Sequence, residues 1–231
     1  MKTIATCTLG CKVNQYDTEA MLELFEAAGY APVGFQEKAD VYLVNTCTVT
    51  GTGDQKSLKM IRRAARQNPE AAIVVCGCLA QREAESILAM DNVALVIGVQ
   101  RRGEVVTLLE QAIAGGSPVS AVAPLRGAGF ENLSVSRHEG KTRATMKIQE
   151  GCDRYCSYCI IPSVRGPVRS MALTDVCAEA RIGETAWCSL CQSSVCFVLR
   201  RHADIYSRGR NGSDHNCSRS DHTIRAYCYI I

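Results

Sequence analysis

Four short runs constrain this chain more than anything else in it: Lys2–Thr6 (KTIAT), Asp40–Thr46 (DVYLVNT), Ala71–Gly77 (AAIVVCG) and Ala94–Gly98 (ALVIG). Each is rich in β-branched residues, is bounded by Gly, Asn or Thr, and is apolar at neighbouring positions, the pattern of strands buried on both faces. Such strands need helices above and below them, and helical periodicity fills the intervals. Asp17–Ala28 sets Met21, Leu22, Phe25 and Ala28 on one face and stops at Gly29. Ser57–Gln67 ends before Asn68 and Pro69; Gln81–Met90 and Glu104–Ala114 follow, the last closed by Gly115 and Gly116. Strands alternating with helices imply βαβ units, so the expected fold class is α/β, a doubly wound parallel sheet.

The pattern stops after residue 116. Residues 117–140 are rich in Gly, Ser and Pro without a sustained period and read as a linker between a first domain, 1–116, and a second, 141–181. Thr142–Gln149 offers the first strand of that second domain and leads directly into GCDRYCSYC at 151–159. Charge follows the same division. Residues 1–140 carry 13 Lys and Arg against 15 Asp and Glu, and residues 141–231 carry 13 against 8, so the second part is the more basic.

Fourteen cysteines in 231 residues mean either a disulfide scaffold or metal and redox chemistry, and the compartment decides between them. The only apolar run near the start, Ile4–Leu9, is shorter than the ~7–15 residue core of an export signal. No run approaches the ~18 residues of a membrane helix. The expectation is a cytoplasmic protein without a membrane partner, whose clustered cysteines bind metal.

Those cysteines form two sets. Cys152, Cys156 and Cys159 make a CxxxCxxC with Tyr158 just before the last thiol. No second CxxC lies nearby to complete a four-ligand zinc site. Three thiolates suit a 4Fe–4S cluster that keeps one iron open. The second set is dispersed: Cys11, Cys47 and Cys78 each follow one of the first three expected strands. In an open parallel sheet the loops at the carboxyl ends of the strands share one edge, where ligands bind. Gly51–Ser57 (GTGDQKS) lacks the second glycine of a phosphate loop and is set aside. His138 is the only histidine before residue 187, which argues against histidine acid–base catalysis.

The triplet resembles that of the radical S-adenosylmethionine superfamily. Taken with TLGCKVNQYDTE, NTCTVT, GCLAQRE and GCDRYCSYCIIPSVRGPVRS, the first 181 residues resemble the methylthiotransferase family, which adds a methylthio group to C2 of the adenosine beside the tRNA anticodon. The wording of the first and last motifs is most similar to the branch acting on N6-threonylcarbamoyladenosine; the isopentenyladenosine branch and the branch modifying a ribosomal-protein aspartate are the alternatives. The resemblance implies two 4Fe–4S clusters, one on Cys11, Cys47 and Cys78 and one on Cys152, Cys156 and Cys159. It implies S-adenosylmethionine at the second cluster with Tyr158 beside its adenine, the start of a partial β/α barrel, a tRNA substrate, and a flavodoxin- or ferredoxin-type reductant. Cys7, Cys76 and Cys177 fall outside the implied ligand positions and read as small hydrophobes. Arg165 and Arg169 read as contacts to a tRNA phosphate or to the cofactor carboxylate, or equally as a solvated basic loop.

Residues 182–231 depart from the family. They contain no Lys and no Pro but five Cys, seven Ser, six Arg and three of the four His. A complete eight-fold barrel takes about 250 residues, and only 91 remain from position 141. The expectation is a change of reading frame near residues 181–186, which leaves the enzyme truncated and impaired; a non-catalytic iron–sulfur or zinc-binding protein is the alternative function. The alternative is a metal-binding tail built on Cys188 and Cys191 with His202, His215 or Cys217. Translation of the alternative downstream frame checks this: barrel-like sequence is expected there, and its absence contradicts the frame change.

Overall fold

The computed structural model describes residues 1–136 and 145–187, the last seven by backbone alone. The tail cysteines and histidines from Cys188 onward, together with His138, lie outside the described residues. Six strands, β1 (Thr3–Thr8), β2 (Ala31–Val33), β3 (Val41–Thr46), β4 (Ala72–Gly77), β5 (Val93–Val96) and β6 (Val119–Ser120), form one parallel sheet in the order β2-β1-β3-β4-β5-β6. The protein is thus α/β, as its apolar runs require. The strands β2 and β6 have no counterpart in the sequence reading, being three and two residues long. The strand β6 lies inside the stretch expected to be linker.

Helices cover both faces. On one side α1 (Lys12–Ala27) and α5 (Val105–Gly115) bury Met21, Phe25, Leu108 and Leu109 against Ile4, Leu43, Val74 and Leu95. On the other, α2 (Gly51–Gln67), α3 (Cys78–Arg82) and α4 (Ala84–Leu88) bury Ile61, Ala64, Leu79 and Ile87 against Tyr42, Val44, Ile73 and Val75. Alternate residues of each central strand therefore belong to different cores, which is why neighbouring positions are all apolar. All six residues of β3 are buried.

Three helix boundaries differ from the periodicity, each for a local reason. The first turns of α1 bury polar side chains, Asn14, Asp17 and Thr18, which a search for apolar faces passes over, so the helix starts five residues before the expected Asp17. The Thr50 hydroxyl accepts from Gly53 N–H at 3.1 Å and caps α2, carrying it back through Gly51–Ser57. Expected as one helix, residues 81–90 are split by Glu83 (φ −123°, ψ 37°) between α3 and α4.

Residues Lys147–Met171 pack into the same compact unit as Met1–Val135. They contain β7 (Gln149–Glu150), α6 (Ile161–Arg165) and β8 (Arg169–Ser170). The expected strand Thr142–Gln149 is corrected. Its first residues lie outside the described set, residues 145–148 are irregular, and β7 pairs with β8 antiparallel, Gln149 with Ser170 and Glu150 with Arg169. Of the described residues, Ser136, Thr145, Met146 and those from Ala172 onward, with α7 (Leu173–Trp187), belong to a second unit.

What attaches residues 147–171 to the sheet is ionic. Arg102, 2% exposed, meets three carboxylates: Asp17, Glu131 at 2.8 Å and Glu150 at 2.9 Å. Lys147 Nζ lies 2.6 Å from Asp17 and 3.6 Å from Glu150, and Arg165 lies 2.7 Å from Glu150. Burial pushes the Glu150 carboxyl up, but Arg102, Lys147 and Arg165 outweigh it and hold the pKa at about 2. Buried charges persist only when paired in this way.

Removing one partner of such a network leaves a dry carboxylate uncompensated. Arg102→Met is expected to lower unfolding free energy by about 3–5 kcal/mol in urea denaturation. Arg82→Met, which breaks the part-exposed pair with Asp54, is expected to lower it by no more than about 1 kcal/mol. Equal losses for the two variants contradict the assignment.

Candidate iron–sulfur site at the carboxyl edge of the sheet

Sheet register sets the first three cysteines side by side. Thr8 aligns with Asn45, Asn45 with Cys76, and Thr46 with Gly77, so β1, β3 and β4 end in one row. Cys11, Cys47 and Cys78 leave the sheet just beyond that row. Strand order reverses between β1 and β3, because β1 connects outward to β2 while β3 continues to β4, and that crevice is where open α/β sheets bind ligands.

Two glycines shape the edge. A Cβ on Gly10 (φ +98°) would stand 2.8 Å from both Cβ and Sγ of Cys47. A Cβ on Gly77 (φ +95°) would stand 2.4 Å from Asn45 Oδ1 and 2.5 Å from Thr46 O. Positive φ and close approach both exclude a side chain, so the backbone presses against its neighbours and α3 starts at Cys78 itself. Asn14 braces the crevice, donating to Leu9 O at 2.7 Å and to Thr46 O at 2.9 Å. Asn45 donates in turn to Asn14 O at 2.8 Å. Ser57 ties α2 to the second loop, with its Oγ 3.2 Å from both N and O of Cys47.

Cys78 is buried, and Arg165 Nε donates to its Sγ at 3.3 Å. Burial pushes the Cys78 thiol up and prevails; the Arg165 charge and hydrogen bond pull it partly back down, while Cys11 and Cys47 raise it further. Arg165 also donates to Asn14 Oδ1 and to Glu150. This corrects its reading as a phosphate contact: at 5% exposure, its three nitrogens are committed to the protein. Arg169, 7% exposed, donates from Nη2 to Arg165 O at 2.9 Å, and its buried Nε and Nη1 find no hydrogen-bond partner among the described residues.

The triplet loop follows β7 directly. Cys152 N–H donates to Gly166 O at 3.1 Å, and Gly151 (φ +86°) packs so closely on Pro167 that a Cβ would lie 2.1 Å from its carbonyl oxygen. At the other end Cys159 N–H donates to Cys156 O at 3.0 Å, closing a turn that carries Tyr158. Cys152 and Cys159 are half-buried and Cys156 is exposed. Tyr158 and Tyr155 are 91% and 68% exposed, and Tyr155 holds a left-handed φ of 46°, a strained conformation of the kind found at functional loops. By contrast Cys76 is fully buried in the core, and burial pushes its thiol far up. It behaves as a small hydrophobe.

Among the described residues no three His, Cys, Asp or Glu side chains meet closely enough to grip a single metal ion. A 4Fe–4S cluster asks for something else, since its three thiolates bind three different irons and stand further apart. The donor set fits that group: three thiols, a glycine-walled cradle, and a buried excess cation at Cys78 to balance thiolate charge. Asp17, Arg102, Lys147 and Glu150 were not legible as site residues; the available signal was Lys147, a charge inside a run expected to be a strand, which burial permits only with partners.

Gly77→Ala tests the cradle. It is expected to cost about 2 kcal/mol or more in urea denaturation. Gly115→Ala, in α5 with nothing within 4 Å of the new Cβ, should be neutral or stabilising by up to about 1 kcal/mol. Tolerance of alanine at Gly77 contradicts the geometry.

Comparison with known proteins agrees with this architecture. Residues 3–98 match the family described as Uncharacterized protein family UPF0004. The chain is 46% identical over 182 residues to the threonylcarbamoyladenosine tRNA methylthiotransferase MtaB of Bacillus subtilis, covering 78% of this chain and 40% of that protein. It is 36% identical over 180 residues to the MtaB of Aquifex aeolicus, covering 78% and 44%. It is 34% identical over 186 residues to the tRNA-2-methylthio-N(6)-dimethylallyladenosine synthase of Staphylococcus haemolyticus, covering 78% and 36%. The chain therefore spans less than half the length of each of these relatives. Over the region that it shares with them, the chain is similar to the MtaB-type methylthiotransferases.

Proposed function

We propose that this chain carries the cluster-binding machinery of a tRNA methylthiotransferase acting on N6-threonylcarbamoyladenosine, the modified base named in two of its relatives. The dimethylallyladenosine reaction of a third relative is the alternative substrate. One observation carries the reading: Arg165 joins Cys78 to Glu150, two residues from Cys152, so both cysteine sets are tied into one compact unit.

In this reading Cys11, Cys47 and Cys78 hold one 4Fe–4S cluster and Cys152, Cys156 and Cys159 another, with S-adenosylmethionine at the second. When bound, such clusters supply an electron and an open iron for sulfur and cofactor chemistry. The protein's part is positioning. Gly10 and Gly77 let the loops close around the first site, and Arg165 holds positive charge against the Cys78 thiolate. Tyr158 presents an open ring on which an adenine can stack. Arg169 keeps two guanidinium nitrogens beside Arg165 that have no partner among the described residues, suited to a carboxylate. The electron comes from a flavodoxin- or ferredoxin-type protein, and the site of action is the cytoplasm. Among the described residues no helix is long and apolar enough to cross a membrane.

Anaerobic reconstitution with iron and sulfide tests the proposal. About eight irons per chain are expected for two four-iron clusters, falling to about four in Cys11→Ser and in Cys156→Ser. Four or fewer in the unaltered chain contradicts the two-cluster reading.

A further inference from the structure

The helix α2 concentrates charge in a way that the cluster site does not use. Between Lys56 and Arg66 it carries Lys56, Lys59, Arg62, Arg63 and Arg66 and no acidic residue, in a chain whose whole net charge is +3. Lys56, Lys59, Arg62 and Arg66 are exposed, and among the described residues none has a carboxylate partner. Arg63 bonds Gln36. The spacing is i, i+3 and i+4 throughout, so these cations crowd one helical face and repel one another. The sole acidic residue of the helix, Asp54, is taken by Arg82.

We infer that this face of α2 binds the phosphate backbone of the tRNA substrate. The inference rests on the proposed function for the identity of the RNA, and on charge and geometry for the surface. A row of cations about 15 Å long matches charges in series better than a single phosphate group. The stripe contains no aromatic residue, so it offers phosphate contacts rather than base stacking and acts without reading sequence. A membrane surface is the poorer partner. An interfacial helix must present an apolar face to lipid, whereas Ile61 and Ala64 are fully buried and Leu58 and Met60 pack against the sheet core. The row also starts at the right place: Thr50 caps α2 three residues after Cys47, and Ser57 fastens the helix to that cysteine's backbone. RNA lying along α2 is led to the edge that holds the cysteines.

The test uses the full 231-residue chain, a fluorescently labelled tRNA transcript and anisotropy titrations at several salt concentrations. Lys56→Glu, Lys59→Glu and Arg66→Glu combined should weaken binding at least about tenfold and lower the slope of log affinity against log salt by about 2–3. The melting temperature should hold, because the new carboxylates at positions 59 and 66 each lie three or four residues from Arg62 and Arg63 and offset the like-charge pair made at 56 and 59. A control with the same charge change elsewhere, Lys2→Glu, Lys38→Glu and Arg126→Glu, should lose less than about threefold. Equal losses in the two triple variants, no loss in the first, or equal affinity for polyglutamate overturns the inference. Iron loading in the same preparations separates the two ideas. A chain that loads about eight irons but does not use α2 for tRNA contradicts only the surface. A chain that binds tRNA through α2 without iron contradicts only the cluster reading.

Discussion

The structure depends on a buried set of charges in which, among the described residues, four cations meet three carboxylates. Arg102, Lys147, Arg165 and Arg169 face Asp17, Glu131 and Glu150, and all but Glu131 are less than a tenth exposed. In a dry environment this arrangement is stable only when every partner is present, so it works as an all-or-none clasp between residues 147–171 and the sheet. The surplus positive charge is directed through Arg165 at Cys78. The clasp that fixes the second cysteine loop also sets the Arg165 guanidinium 3.3 Å from the Cys78 thiol, where it opposes the effect of burial. Stability and site electrostatics share the same atoms.

The parallel sheet supplies the other half of the arrangement. Doubly wound topology places the ends of β1, β3 and β4 in a row, so one cysteine beyond each strand suffices to build a three-thiol edge without any local cysteine motif. Glycines at positions 10 and 77 then bring the loops closer than any side chain would permit. The ordering is economical: topology chooses the place, glycine sets the approach and arginine sets the charge.

Legibility in the sequence divides along the same line. The central strands and the two cysteine sets could be read directly, because double-sided burial leaves consecutive apolar residues and because a cysteine after each of three strands is a positional pattern. The start of α1 could not, since Asn14, Asp17 and Thr18 are buried for their hydrogen bonds and not for their apolar surface. The clasp was equally hidden. Arg102 and Asp17 lie 85 residues apart, Lys147 and Asp17 lie 130 apart, and Arg165 and Asn14 lie 151 apart, separations at which no local pattern survives. Arg165 attracted notice as a loop cation, but its burial reverses the role that a basic loop suggests. The α2 stripe was not read from the sequence, because only the packing of Ile61 and Ala64 shows which face of the helix is left to solvent.

The central claim is that two separate iron sites share one compact unit, one beyond the sheet and one in the loop after β7. Anomalous diffraction at the iron edge from crystals of the anaerobically reconstituted chain tests it most directly. The account predicts two iron peaks, one bounded by Cys11, Cys47 and Cys78 and the other by Cys152, Cys156 and Cys159, with the Arg165 guanidinium against the first. A single peak, or iron bound by any other set of cysteines, contradicts it.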